Sequence, residues 1–454
     1  MFRVSLFLAC FMLPLFALGQ PTIDLSSSVA SGKAAAAQDS AQAAPTPTPP
    51  TAVRPSRPAG TLITLDQALE MALRNSPAIK AARTQIQQSQ AQEITANLRP
   101  NPTLAWDSQF IPIFSGDFST DTLNNLQQFD IGVGYLFERG RKRQNRLRAA
   151  RDQTAVTAAQ VADTERTLSF NVAQQFINAL LANSTLQFAL EDLNSFQETV
   201  KISEQRYKAG DISEGDYLKI KLQMLQFQTD VSSARVAKVQ ALGSLRQLIG
   251  YANVPQDYDV AGDLDYQPLK ASLADLQVKA LAERPDLKAA QKGIQAANSQ
   301  IGLAKANGKV DVNGQASYSH VSGASSTSLF FSVPLPLFNR NQGEIARTRY
   351  ALTQAEQTEK STEDTVMTDV TNAYEAARSN QDVVQLYLGG YLKQAQDSRD
   401  ISQYAYKGGA ATLLDFLDAE RSYRSTQLAY RQALAAYMLS LEQLRQAAGT
   451  RNLQ

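Results

Sequence analysis

Tyr207-Lys208-Ala209-Gly210, followed by Asp216 and Leu218, returns 199 residues later as Tyr406-Lys407-Gly408-Gly409, followed by Asp415 and Leu417. The register does not drift. Leu245-Arg246-Gln247 and Gly250 recur as Leu444-Arg445-Gln446 and Gly449, again 199 apart. A fixed offset over such a span marks one long structural unit duplicated without insertion. The repeated string is a glycine-marked turn between long helical tracts. Glycine is the usual residue where a helix stops, because it adopts positive φ without a steric penalty. The repeat therefore speaks for long helices rather than for catalytic loops.

The tracts that lead into the two turns are long. Arg141 to Tyr207 holds neither proline nor glycine, and Asn341 to Tyr406 holds no proline. At about 1.5 Å per residue each reaches roughly 100 Å. Val370, Tyr374, Ala377, Val384, Leu388, Tyr391 and Ala395 follow a four-three spacing, with Gln381 in one slot. That is a coiled-coil seam. Gly389-Gly390 interrupts it, and a local kink is expected there. Shorter return helices are expected over 211–249 and 412–448.

A second repeat lies upstream of each tract. Ala72-Leu73, Pro77 and Lys80-Ala81-Ala82 match Ala280-Leu281, Pro285 and Lys288-Ala289-Ala290, now 208 apart. Each copy reads as helix, proline break, helix. Thr64 is a plausible cap for the first of these helices.

Strands come next. Phe129, Ile131, Val133, Tyr135 and Phe137 alternate with Asp130, Gly132, Gly134 and Leu136. Val310, Val312, Ala316, Tyr318 and His320 alternate with polar residues in the same way. Period two with one greasy face marks a strand. Thr103 to Ile111 and Ser328 to Leu335 are the expected partners, giving two hairpins. Strands of about 9–11 residues suit a tilted membrane barrel. Four strands cannot close one, and open edges are not tolerated in lipid. If these strands cross a membrane, several copies must share a barrel; three would supply twelve strands.

Composition narrows the class. Lysine plus arginine number 44 and aspartate plus glutamate 43, so no global field favours nucleic acid. The only histidine is His320 and the only cysteine Cys10. Residues 1–19 read as a secretory signal, with Arg3 before an apolar run and Ala17-Leu18-Gly19 at the cleavage site. Acylation of Cys10 in a lipoprotein is the rival reading. Residues 20–61 form a linker rich in alanine, proline, serine and threonine. No segment after Gly19 is apolar enough to span a membrane as a helix. That leaves a soluble exported protein or a β-barrel.

Taken together these strings resemble the outer membrane factor family, whose archetype is TolC. The most specific are Tyr406-Lys407-x-Gly409 with Asp415-Phe416-Leu417-Asp418-Ala419, its counterpart Tyr207 to Leu218, and Ser332-Val333-Pro334-Leu335-Pro336-Leu337-Phe338-Asn339-Arg340-Asn341-Gln342-Gly343-Glu344. The last string looks like the branch serving cobalt-zinc-cadmium and copper efflux. The likeness covers about residues 62–450.

It implies a mainly α, mixed fold: a trimeric 12-stranded outer-membrane barrel, four strands per protomer, continued by an α-helical coiled-coil tunnel through the periplasm. The units are a first repeat over 62–250, a connecting equatorial segment over 251–272 and a second repeat over 273–450. It implies a passive exit duct working with a periplasmic adaptor and an inner-membrane pump of the resistance-nodulation-division type. No cofactor and no metal site are expected.

The site residues come from the same resemblance. Asp415 and Asp418, three apart on one helical face, match the constricting aspartates of the periplasmic mouth. In a trimer they would form carboxylate rings that favour cations. Asp216 and Tyr406 look like members of one lock. Ala410 to Leu414 lacks the basic residue some relatives carry there. For Asp415 the competing reading is a charge favourable to its own helix N-terminus. Gly210, Gly409, Tyr207, Lys208 and Lys407 are the expected adaptor-docking tips, with plain helix caps as the alternative. Pro334 and Pro336 mark the barrel-to-helix transition or simply end a strand. Arg139, Arg141, Lys142, Arg143, Arg146, Arg148 and Arg151 form the densest basic cluster, either a solvated helix face or a contact with anionic lipid headgroups.

Three other readings compete. Drug efflux or polypeptide secretion through the same fold differs only in cargo. A periplasmic coiled-coil adaptor would not need greasy hairpins. An enzyme finds no nucleophile elbow or phosphate loop.

Overall fold

A computed structural model describes residues 61–109, 121 and 128–453. The signal, nearly all of the linker, and the chain beyond Gln109 to the next strand lie outside the described residues, save Asp121. The first helical pair is α1 (Leu65–Asn75) and α2 (Pro77–Asn97). Thr64 and Gln67 cap α1 reciprocally, side chain to backbone in both directions. Pro77 opens α2 at the position where a missing N–H costs nothing. The second repeat has the same pair, α5 (Leu273–Glu283) and α6 (Pro285–Asn307), with Pro285 in the same role.

Four strands form one antiparallel sheet: β2 (Thr103–Gln109), β3 (Gln128–Phe137), β5 (Val312–Val321) and β6 (Ala324–Ser332), in the order β2-β3-β5-β6. The two hairpins are thus fused through the β3–β5 ladder, in which Phe129 faces His320 and Phe137 faces Val312. The register sorts the side chains onto two faces. Leu104, Val133, Ala316 and Leu329 line up on one, as do Trp106, Ile131 and Tyr318. Gly132, Gln315, Ser317 and Ser328 are on the other. Gly132 is needed on the polar face: a Cβ there would lie 3.0 Å from Ser317 Cβ. The last strand starts and stops earlier than its sequence suggests. The sequence places this strand at Ser328 to Leu335, yet the two-residue turn Ser322-Gly323, φ 50° and 80°, carries the ladder straight into Ala324. Two short strands, β1 (Leu62–Ile63) and β4 (Asp259–Val260), pair in parallel elsewhere.

The long helices complete the fold. α3 (Lys142–Ala209) runs 68 residues and α4 (Glu214–Ile249) returns alongside it. In the second repeat α7 (Gln342–Leu386) is joined through Tyr387–Tyr391 to α8 (Leu392–Lys407), and α9 (Leu413–Ala448) returns. Residues Arg141 and Asn341, both left-handed at φ 56° and 63°, start α3 and α7. Corresponding cores hold the two repeats. Leu245 packs with Leu69, Ile79 and Val172, and Leu444, its mate 199 residues on, packs with Leu276, Val366 and Val370. Among the described residues no helix is long and apolar enough to cross a membrane.

Val370, Ala377 and Val384 are fully buried, as the seam requires, and Gln381 fills its slot by accepting from Leu269 N at 3.0 Å and Tyr437 Oη at 3.2 Å. Leu388 and Tyr391 are exposed instead. The reason is the π turn Tyr387–Tyr391, where Gly390 takes φ 137°. One extra residue in a turn rotates the downstream side chains about the helix axis by about 100°. The glycine pair is therefore a register break.

The basic cluster also changes meaning. Lys142 pairs with Asp311 at 2.6 Å, Arg146 with Glu138, and Arg151 with Glu93 at 3.7 Å. Lys142 and Arg146 are spent on joining strand ends to the start of α3, and Arg151 on joining α3 to α2. The spacing within 139–151 does not show this, because Asp311, Glu138 and Glu93 all lie outside that window.

Candidate functional site

The two tips are built alike. At the first, Asp211 N donates to Arg206 O at 2.9 Å and Gly210 stands at φ 83°. At the second, Ala410 N donates to Ala405 O at 2.8 Å and Gly409 stands at φ 77°. Both are Schellman turns, and both glycines are required by their backbone. Ser213 then caps α4 and Thr412 caps α9.

The aspartates expected at the mouth belong to these caps. Asp216 Oδ2 accepts from Ser213 Oγ at 2.9 Å, and Lys219 lies 3.3 Å from its other oxygen. Asp415 Oδ2 accepts from Thr412 Oγ1 at 2.6 Å and Thr412 N at 3.2 Å. These hydroxyl hydrogen bonds hold both carboxyls below the usual range. Asp418 is solvent-exposed and faces Arg421 at 3.3 Å. Leu413, Phe416 and Glu420 form the buried face of α9, so Asp418, two residues past Phe416, falls on the opposite side.

Tyr406 is 4% exposed. Its hydroxyl lies 3.5 Å from Ser203 Oγ and its carbonyl accepts from Arg206 Nη1 at 2.7 Å. Its partners are thus on α3, whereas those of Asp216 are on α4; the two expected lock members are not joined to each other. Tyr207 stacks on Tyr217 at 5.1 Å and Lys208 pairs with Glu204 at 2.8 Å. Lys407 sits in the last turn of α8. Pro334 and Pro336 lie in the irregular stretch between β6 and α7, where Arg340 Nε donates to Pro336 O at 3.0 Å.

Sequence reasoning missed what holds the tip. Phe227 stacks on Phe196 at 4.3 Å, Phe196 on Phe416 at 6.4 Å, and Phe416 on Tyr406 at 5.5 Å. Arg206 covers the Tyr406 end at 5.3 Å and Arg424 the Phe227 end at 4.1 Å. Four helices meet in this column, and a guanidinium closes each end. Arg206, from the first repeat, supplies a basic group at the second tip.

Arg424 leads to a buried charge cluster. It lies 2.6 Å from Asp192 and also pairs with Asp230. Asp192 and Glu420 are 4% and 5% exposed. Burial raises both carboxyls, and Glu420, raised further by Asp192, reaches about 7. The two carboxyls work against each other's ionisation, with Arg424 beside Asp192 favouring its charged form. The spacing signal was absent, because Asp192, Asp230 and Glu420 come from three helices.

The described residues thus give no catalytic constellation at the tip; they give a helical hairpin pinned against another by rings, cations and a buried charge cluster. Comparison with known proteins gives the family. Residues 68–251 and 276–450 match the model of the family described as outer membrane efflux protein. The cation efflux system protein CusC of Escherichia coli O157:H7 is 26% identical over 381 residues, 78% of this chain and 79% of that one. The cobalt-zinc-cadmium resistance protein CzcC of Cupriavidus metallidurans is 25% identical, covering 83% and 88%. A crystal structure of CusC superposes with a TM-score of 0.71 at 21% identity, over 85% of this chain and 92% of that one. With both halves of the chain matched, this protein belongs to the outer membrane efflux protein family.

Proposed function

We propose that this outer membrane efflux channel conducts heavy-metal cations, and that three copies make the duct. The observation that carries the second part is the open sheet. Among the described residues β2 and β6 leave unpaired edges on a sheet with one apolar face, and closure is the only way such edges survive in lipid. Three copies supply twelve strands, continued by a tube of α3, α4, α7, α8 and α9. The repeats, 62–250 and 273–450 with 251–272 between them, give that tube its quasi-sixfold character.

The mouth is the tip. Asp415 and Asp418 line it as carboxylate rings, with Tyr406 and Asp216 holding the hairpins that carry them. Asp415 serves two ends, since a capping aspartate kept ionised by Thr412 is also a fixed negative charge. The turns at Gly210 and Gly409, with Tyr207, Lys208 and Lys407, form the surface for a periplasmic adaptor, which couples the duct to an inner-membrane pump of the resistance-nodulation-division type. Pro334 and Pro336 end the barrel and begin the tube. The likeness to CusC and CzcC supports metal ions as cargo. The chain selects none itself: acid rings attract cations of any kind, and its only histidine, His320, is bonded to Ser325 at 3.2 Å.

The test is tolerance. A strain lacking this chain loses resistance to transition-metal cations and regains it on complementation. Loss of drug tolerance with unchanged metal tolerance overturns the cargo assignment.

A further inference from the structure

We propose that the junction between sheet and helices binds the phosphate of an anionic phospholipid in the periplasmic leaflet of the outer membrane. Three turns converge there. Arg139 N donates to Asp311 Oδ1 at 2.9 Å, a Cβ on Gly140 would meet Lys309 Cγ at 2.8 Å, and a Cβ on Gly308 would meet Arg340 O at 2.6 Å. The contacts bring Arg139, Arg141, Lys309 and Arg340 to one end of the sheet, all exposed. Among the described residues none of the four has a carboxylate within ion-pair distance. The nearby acids are neutralised: Asp311 by Lys142, Glu138 by Arg146.

Beside them stands bare apolar surface. Leu335, Leu337 and Phe338 are 77%, 67% and 90% exposed, and they continue the exposed Leu329 and Phe331 on the apolar face of β6. Greasy side chains at acyl-chain level with cations just beyond them match the profile of a phospholipid, tail then phosphate. The orientation comes from the helices. They leave from this end of the sheet, and α3, at about 100 Å, extends into water. The cluster therefore faces the periplasmic side. The proposal rests on the strands lying in the outer membrane.

The test uses the full-length protein reconstituted into nanodiscs of phosphatidylcholine with and without phosphatidylglycerol, with lipids retained after delipidation counted by mass spectrometry. Wild type is expected to retain phosphatidylglycerol preferentially, and 0.5 M salt should erase the preference. Each cation removed in R139Q, K309Q and R340Q should cut it about fivefold. Lys393→Gln, exposed on α8 far from the junction, should leave it unchanged. Equal retention of both lipids by wild type, or an undiminished preference in the R139Q/K309Q double variant, overturns the proposal. If the triple variant does not fold, the single variants and the salt series decide. Failure to enter either nanodisc would refute the membrane assignment instead, and with it the premise.

Discussion

The ring of Tyr406 lies parallel to that of Phe416 at 5.5 Å, and their counterparts 199 residues earlier, Tyr207 and Tyr217, stack at 5.1 Å. The duplication preserved the pair and changed its surroundings. Tyr406 and Phe416 are buried against Phe196 of the first repeat. Tyr207 and Tyr217 keep much of their surface in solvent. The 199-residue offset carries Phe196 and Phe227 onto Ala395 and Thr426, so the second repeat has no rings with which to extend its column.

The two pairs should therefore respond differently to truncation. Phe416→Ala removes a fully buried ring and should cost about 3–5 kcal/mol. Tyr217→Ala loses one stacked partner at a half-exposed site, about 1 kcal/mol. Hydrogen exchange at the tips measures both. Equal loss of protection would mean that the column does not anchor the second hairpin.

Arg206 joins the repeats through a charge-assisted hydrogen bond to the Tyr406 carbonyl and a cation–π contact. Arg206→Ala should loosen the second tip by about 2 kcal/mol. Limited proteolysis near Gly409 should quicken, while cleavage at the first tip stays as it was. No change at Gly409 would leave the arginine without a locking role.

Asp192 and Glu420 predict a pH response with a definite sign. Glu420 titrates near 7 in the fold against an ordinary 4.5. The folded state thus holds a proton between those values that the unfolded chain releases. The resulting stability is fully present below about 4.5 and is lost as pH rises through 7. Asp415 and Asp216, whose carboxyls are lowered, act the other way, in a more acid range. Melting temperature should fall from pH 5 to pH 8, and Glu420→Gln should flatten the fall. A wild-type melting point constant across that range would contradict the raised Glu420 carboxyl.

Much of this was legible in the chain because its signals are local. The offset of 199, the turn glycines, Pro77 and Pro285, and the alternation from Phe129 to Phe137 each need only a few neighbouring residues. What escaped depends on distant partners. The column draws Phe196, Phe227, Tyr406 and Phe416 from four helices. Lys142 looked like surface charge until Asp311, 169 residues on, met it. Gly389-Gly390 signalled an interruption, but its form, a π turn that rotates Leu388 and Tyr391 outward, is fixed by the backbone around Gly390.

Thr412 and Asp415 separate the capping role from the gating role. Thr412→Ala should weaken the start of α9 by about 1 kcal/mol and leave the charge in place. Asp415→Asn keeps a capping oxygen and removes the charge. Ion selectivity in a bilayer should change in the second variant alone. Equal change in both would make selectivity a by-product of helix fraying.

The central claim is that the second-repeat tip closes a cation-preferring duct. Single-channel conductance of the Asp415→Ala/Asp418→Ala double variant in a planar bilayer tests it most directly. The account predicts higher conductance than wild type and a weaker preference for cations. Conductance and selectivity identical to wild type would contradict it.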